Sequence, residues 1–269
     1  MPTPRTEAGR ARRASFASIV AALAASILLL FLALPTGSLV ASGGAAGASG
    51  LLHDRELRGA IALSAIAATI ATAIVALLGT PLAWLLARRR FRGRALVEAV
   101  LDLPLLIPHP VAGLALLLLF ARDAPLGGAL FAIGLRVIGT PVGIVAAMAF
   151  VAAPLFVSAA REAIARVDVR YEHVARTLGD NGWRAFRRVT LPLAGRGMLA
   201  GAVVTWARAV SEFGAIVIIA YHPRVASVLA YDRFTSFGIA EALPVAAALV
   251  IVALVPLVVL RALRVERAA

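Results

Sequence analysis

The stretch LGDNGWRAFRRVTLPLAG, residues 178–195, separates two long apolar runs and carries more pattern than a connector needs. Gly179-Asp180-Asn181-Gly182 is a turn signal, because glycine tolerates the left-handed cap that ends a helix. Upstream, Ile164, Val167, Tyr171, Val174 and Leu178 recur at steps of three and four, so the spacing predicts one helix with a single apolar face. Downstream, Trp183, Phe186 and Val189 step by three and give a second, short helix an aromatic face. Pro192 suits the first turn of a further helix, where its missing N–H costs nothing. Segment 161–196 therefore reads as helix, turn, short helix and the start of an apolar span. Its eight arginines and four acids fit two readings equally. One is an amphipathic loop resting on anionic headgroups; the other is a docking surface for a cytoplasmic protein.

The rest of the chain says what the loop is attached to. Of its 269 residues 61% are hydrophobic, with a mean hydropathy of +0.92, more apolar surface than a soluble domain of this size hides. There is no cysteine, which excludes disulfides, thiolate catalysis and zinc–thiolate sites. All 27 basic residues are arginine. Without lysine the chain encodes neither a phosphate-binding P-loop nor a Schiff-base enzyme, so any ATP used is bound by another chain. The net charge of +13 does not indicate nucleic acid, because the arginines lie between apolar runs and not along one soluble face.

A helix needs about 20 apolar residues to cross a bilayer. Six segments qualify: Phe16 to Leu34, Ala60 to Ala87, Val100 to Phe120, Val137 to Ala160, Gly197 to Tyr221 and Ala240 to Leu260. The first run is longer than the 7–15 residues of a signal-peptide core, so it reads as a retained span followed by a small-residue external loop, Ala41 to Gly50. Twenty arginines fall before span 1, between spans 2 and 3, between 4 and 5, and after 6, against six in the alternate segments. The positive-inside rule then places both termini and the 161–196 loop in the cytoplasm.

Glu172-His173-Val174-Ala175-Arg176-Thr177-Leu178-Gly179, followed by Val189-Thr190-Leu191-Pro192, resembles the EAA loop of ATP-binding-cassette (ABC) importer permeases. That pattern is Glu-Ala-Ala, three residues, Gly, nine residues, then Ile-x-Leu-Pro. Ala175, Gly179, Val189, Leu191 and Pro192 fit its spacing, with Val for Ile. The motif glutamate is His173 here, with Glu172 one residue earlier, so either residue is a candidate for the partner contact. The resemblance covers about 57–262. LDLPLLIPHPVAGLALLLLF (101–120), ARAVSEFGAIVIIAYHP (207–223) and ASVLAYDRFTSFGIAEALPVAAAL (226–249) are similar to molybdate/tungstate permeases of the tungstate-type branch, and Ser-Glu-Phe-Gly-Ala is shared with sulfate permeases.

The resemblance implies an all-α polytopic membrane protein of the type I ABC importer permease fold, with six transmembrane helices and a cytoplasmic coupling helix. Residues 1–56 would be the cytoplasmic tail, first span and external loop, 57–262 the permease domain, and 263–269 a cytoplasmic tail. Two copies of the permease would form the pore in a prokaryotic cell membrane. A separate ATPase dimer would carry ATP-Mg, and an extracytoplasmic binding protein would deliver tungstate or molybdate, with sulfate as the alternative. The coupling surface would comprise Glu172, His173, Ala175, Leu178, Gly179, Trp183, Phe186, Leu191 and Pro192. This chain would bind no cofactor of its own.

Within the spans, Arg208 and Glu212 are four apart and share a helical face. Charges at membrane depth should face protein or water, so the pair is either a packing device or part of the translocation path with His109. Pro108-His109-Pro110 should break the third span, and a half-helix starting near Val111 would present free N–H groups. The four histidines, at 53, 109, 173 and 222, are scattered and support no metal site. A secondary carrier would need buried ligands for a coupling ion, and only Arg208 and Glu212 lie deep enough.

Overall fold

The computed structural model describes residues 16–265; residues 1–15 of the expected N-terminal segment 1–56, and residues 266–269 of the expected C-terminal tail 263–269, lie outside them. Every regular element among the described residues is helical. In chain order these are α1 (Phe16–His53), α2 (Arg55–Arg88), α3 (Arg94–Leu106), α4 (His109–Phe120), α5 (Pro125–Ala132), α6 (Pro141–Ala165), α7 (Val169–Thr177) and α8 (Gly182–Ala185). A π-helical turn at Phe186–Thr190 leads into α9 (Leu191–Val210), followed by α10 (Ile216–Ile219), α11 (Ala226–Phe237) and α12 (Ile239–Val265).

Four helical stretches are long and apolar enough to span a membrane: Ser18–His53, Arg55–Arg88, Pro141–Ala165 and Gly182–Val210. The third expected span is a broken pair, α3 and α4, with a bend of 115° between them. Ile107 and Pro108 form the break, where Pro108 and Pro110 remove two ladder donors. The sixth expected span lies within α12.

The small-residue run expected as an external loop is helical. α1 continues to His53, because Gly43 and Gly47 bring its backbone against α12. A Cβ added at Gly43 would lie 2.5 Å from the carbonyl oxygen of Leu243, and one at Gly47 would lie 2.5 Å from that of Pro244. In a bilayer, residues spaced this way are packing surfaces, not breakers. At 38 residues α1 is about 57 Å long, nearly twice the hydrocarbon thickness of about 30 Å.

The core is a packed trio of α2, α6 and α9, lined by alanine and glycine. Small side chains let these helices approach until Gly201 and Gly197 face Ala159 and Ala163, leaving no room for a Cβ. Such contact replaces the hydrophobic effect, which lipid cannot supply between helices. One buried cluster joins this trio to α4 and α10; a second, around Leu86, Phe156, Ile164 and Phe186, fastens the loop end. Ile27, Phe31, Leu77 and Leu78 are exposed apolar side chains, as expected of helix faces turned to lipid.

Candidate functional site

The single helix expected over 164–178 is two helices. α6 ends at Ala165, and Asp168 starts α7 by accepting the N–H of Arg170 at 2.9 Å. The apolar stripe divides with it. Ile164 and Val167 are buried in the core, while Tyr171, Val174 and Leu178 point outward, Leu178 at 83% exposure. Gly179 closes α7 with φ +97°, the left-handed conformation expected of it. Asn181 caps α8 through the N–H of Arg184.

Pro192 lies in the first turn of α9, as expected, and no break separates that helix from α8. The rod is helical from Gly182 to Val210, and the π turn at Phe186–Thr190 absorbs the irregularity that Pro192 introduces two residues later. The end of the loop, from Gly182, and the fifth span are thus one continuous piece. Of the aromatic face expected on the short helix, Trp183 is 66% exposed, but Phe186 is buried, edge-on to Trp84 at 6.2 Å and stacked on Trp183 at 5.6 Å. Phe186 therefore supports the loop from below.

Glu172 is the feature that sequence spacing did not anticipate. It is 3% exposed. Its Oε1 accepts from Arg88 Nε at 2.9 Å and from the Thr190 hydroxyl at 2.7 Å. Arg88 Nη2 also donates to the Val167 carbonyl at 2.9 Å. This network ties α7 to the C-terminal end of α2 and to the foot of the α9 rod. His173, the neighbour at the motif glutamate's position, is exposed, as is Pro192; Ala175 is buried and Leu191 half-buried. Sequence reasoning missed Arg88 and Thr190, since each looks like an ordinary residue at a span end.

At the other end of the rod, α9 stops at Val210, so Glu212 lies beyond the helix and not on its face. The pair still forms: Arg208 Nη2 donates to Glu212 Oε2 at 2.6 Å. Glu212 Oε1 accepts the N–H of Ala215 at 2.9 Å, which shapes the turn into α10. His109, the first residue of α4, completes the cluster with Nδ1 at 2.8 Å from Glu212 Oε2. Arg208 Nη2 lies 2.7 Å from Nδ1 and 3.0 Å from Nε2 of the same ring, so the guanidinium, the imidazole and the carboxylate form one contact cluster. Gly214 fits against His109, where a Cβ would approach its side chain to 2.7 Å. The Ser-Glu-Phe-Gly-Ala stretch is thus a structural unit joining the break in the third span to the end of the fifth. The half-helix begins at His109, two residues earlier than expected.

The cluster has a direction. Glu212 is 1% exposed at its side chain, whereas Arg208 and His109 are 26% and 40% exposed. Among the described residues, all the hydrogen bonds of the Arg208 guanidinium run through Nη2. Its other N–H groups remain available to an anion, and the buried carboxylate balances the charge behind them.

A further network fixes the opposite end of α2. Asp54 caps α2 through the N–H groups of Glu56 and Leu57, and its other oxygen accepts from Arg233 of α11 at 2.6 Å. Burial opposes the charged form, but the Leu57 N–H and Arg233 outweigh it and hold the carboxyl below its ordinary value.

Residues 79–265 match the family model described as binding-protein-dependent transport system inner membrane component. The chain is 43% identical over 211 residues to the molybdate/tungstate transport system permease protein WtpB of Thermococcus kodakarensis, covering 78% of this chain and 80% of the relative. It is 39% identical over 248 residues to a probable molybdenum ABC transporter permease protein of Haloferax volcanii, covering 90% and 88%. In fold it is similar to a bacterial alginate ABC transporter solved in complex with alginate pentasaccharide-bound periplasmic protein, with TM-score 0.66, 18% identity and coverage of 90% and 92%.

Proposed function

The chain belongs to the binding-protein-dependent transport system inner membrane components, and from that premise we propose that it is the permease subunit of an ATP-driven importer of tungstate and molybdate. Two copies form the pore, a separate ATPase dimer supplies the energy from ATP-Mg, and an extracytoplasmic binding protein delivers the anion. The loop 161–196 faces the cytoplasm, as do both termini, in keeping with the distribution of arginines. The observation that carries the reading is the construction of this loop: an outward apolar face on a base locked to two core helices.

Tyr171, Val174, Leu178 and Trp183 are the exposed apolar side chains of that face, and His173 lies beside them. They are the surface offered to the ATPase. Glu172 acts from inside, holding α7 against Arg88 and Thr190. When nucleotide draws the ATPases together, the two loops follow. The α9 rod carries that displacement from Leu191 to Arg208, seventeen residues or about 26 Å away. The Arg208–His109–Glu212 cluster then moves relative to its counterpart in the second copy, which is how the pore changes its open side. Arg208 offers its free N–H groups to a passing oxyanion, His109 holds the Glu212 carboxylate in place, and Glu212 keeps the site near neutrality so that the anion is not trapped.

Uptake by proteoliposomes containing permease, ATPase and binding protein tests the reading. Labelled tungstate should enter only with internal ATP. Unlabelled molybdate should compete at similar concentrations, and sulfate should compete only in large excess. Uptake that proceeds unchanged without ATP would point to a secondary carrier. Equal competition by sulfate would move the assignment to sulfate.

A further inference from the structure

Beside the loop runs a groove whose α2 side and two arginines the transport reading leaves unused. Its floor is one face of α2: Ala76, Leu77, Thr80, Pro81 and Trp84. Trp183 and Phe186 form the opposite wall, and the cavity measures about 630 Å³. From Ala76 to Arg89 the groove follows thirteen residues of helix, about 20 Å, close to the depth of one leaflet with its headgroups. The deep end is apolar, and Leu77 there is 74% exposed. The shallow end carries two guanidinium groups, Arg89 from α2 and Arg176 from α7. Neither has a side-chain hydrogen bond or ion pair among the described residues, in contrast to Arg88, Arg161 and Arg188 nearby. Trp84 Nε1 is likewise without a partner.

We propose that this groove holds one anionic phospholipid of the cytoplasmic leaflet, with its phosphate on Arg89 and Arg176 and an acyl chain along α2. The inference rests on the orientation proposed above, which places α7 and α8 at the cytoplasmic surface. The chemistry matches from end to end. A hydrocarbon tail covers Leu77 and Pro81, the indoles lie at interfacial depth, and two unpaired arginines meet the one lipid group that carries charge. Because Arg176 belongs to α7 and Arg89 to the end of α2, the bound headgroup bridges the same two elements that Glu172 and Arg88 join from the inside. The lipid is then a second clamp on the coupling loop.

Native mass spectrometry of the full chain tests this after delipidation and titration with phosphatidylglycerol, phosphatidylcholine or inorganic phosphate. The expected result is one phosphatidylglycerol per chain, with at least tenfold weaker retention of phosphatidylcholine. Arg89→Ala/Arg176→Ala should weaken phosphatidylglycerol binding at least tenfold, whereas Arg184→Ala/Arg187→Ala, which removes two exposed arginines outside the groove, should not. Leu77→Trp fills the groove with both guanidinium groups kept and should weaken binding to a similar degree. Unchanged binding in the arginine double variant or in Leu77→Trp overturns the proposal. So does equal retention of phosphatidylcholine, or displacement of the lipid by inorganic phosphate, which would mark a free-anion site. Labelling of a cysteine placed at Leu178 from the cytoplasmic side checks the orientation separately, since the chain has no cysteine of its own.

Discussion

Replacing Glu172 by alanine should uncouple ATP hydrolysis from transport without unfolding the protein. The carboxylate is 4% exposed and Arg88 is 11% exposed, so the truncation leaves a guanidinium with one remaining partner, the Val167 carbonyl. Losing one member of a buried ion pair costs about 3–5 kcal/mol. We take the lower end, about 3 kcal/mol, because Arg88 keeps a hydrogen bond and lies near the surface. That is about two decades in the equilibrium between the fastened and the detached loop. It is less than the roughly 5–15 kcal/mol that holds a typical domain together, so the chain still folds. Glu172→Gln keeps an acceptor for Arg88 Nε and the Thr190 hydroxyl and should cost about half as much. The assay is the ratio of ATP hydrolysed to tungstate transported in proteoliposomes, together with ATPase retention on purification. Arg88→Ala should raise that ratio nearly as far as Glu172→Ala, and the double variant should be scarcely worse than either single one. If Glu172 contacts the ATPase directly, Arg88→Ala will leave retention and coupling intact while Glu172→Ala destroys both. That pattern, or strictly additive effects, would refute the bracing role.

Three further expectations follow from the same structure. Leu178→Asp places a charge on the exposed apolar face and should lower ATPase co-purification at least tenfold while membrane insertion stays normal; unchanged recovery would move the docking surface elsewhere. Arg208→Ala should reduce uptake at least tenfold and lower the yield of folded complex, since it exposes the buried Glu212 charge to a loss of about 3–5 kcal/mol. Wild-type uptake and yield together would remove Arg208 from the path. Asp54→Ala removes the α2 cap and should cost about 1 kcal/mol, read as a lower thermal midpoint. Because the folded-state value of Asp54 lies below 3.8, its contribution is complete above that pH and fades only as pH falls further. The wild-type and variant midpoints should therefore converge in acid and stay apart at neutral pH.

Much of this fold was legible in the sequence because lipid imposes a simple code. Long apolar runs must be helices, and Pro108 and Pro110 do break the third span. The misreadings share a cause. Small residues at Ala41–Gly50 suggest a loop in water but a packing face in a membrane, which only the presence of α12 reveals. Periodicity across 164–178 was real, yet Asp168 could cap a new helix, and the stripe divided between core and surface. Phe186 and Trp183 look alike in sequence; burial separates them because Trp84 lies under one of them. The Glu172–Arg88 contact joins residues 84 apart, beyond any local pattern. Glu212 was visible as a partner for Arg208, but its role in shaping the α10 turn depends on the helix stopping at Val210.

The most direct measurement of the central claim uses the absence of native cysteine. On the proposal that two copies of this chain form the pore, a spin label at Leu178→Cys in the assembled importer reports the distance between their two loops. With ATP bound to a hydrolysis-deficient ATPase, that distance should contract relative to the nucleotide-free complex, and Glu172→Ala should broaden the distribution and weaken the contraction. A distance that stays the same with and without ATP, in a complex that still transports tungstate, would contradict the view that force enters through this loop.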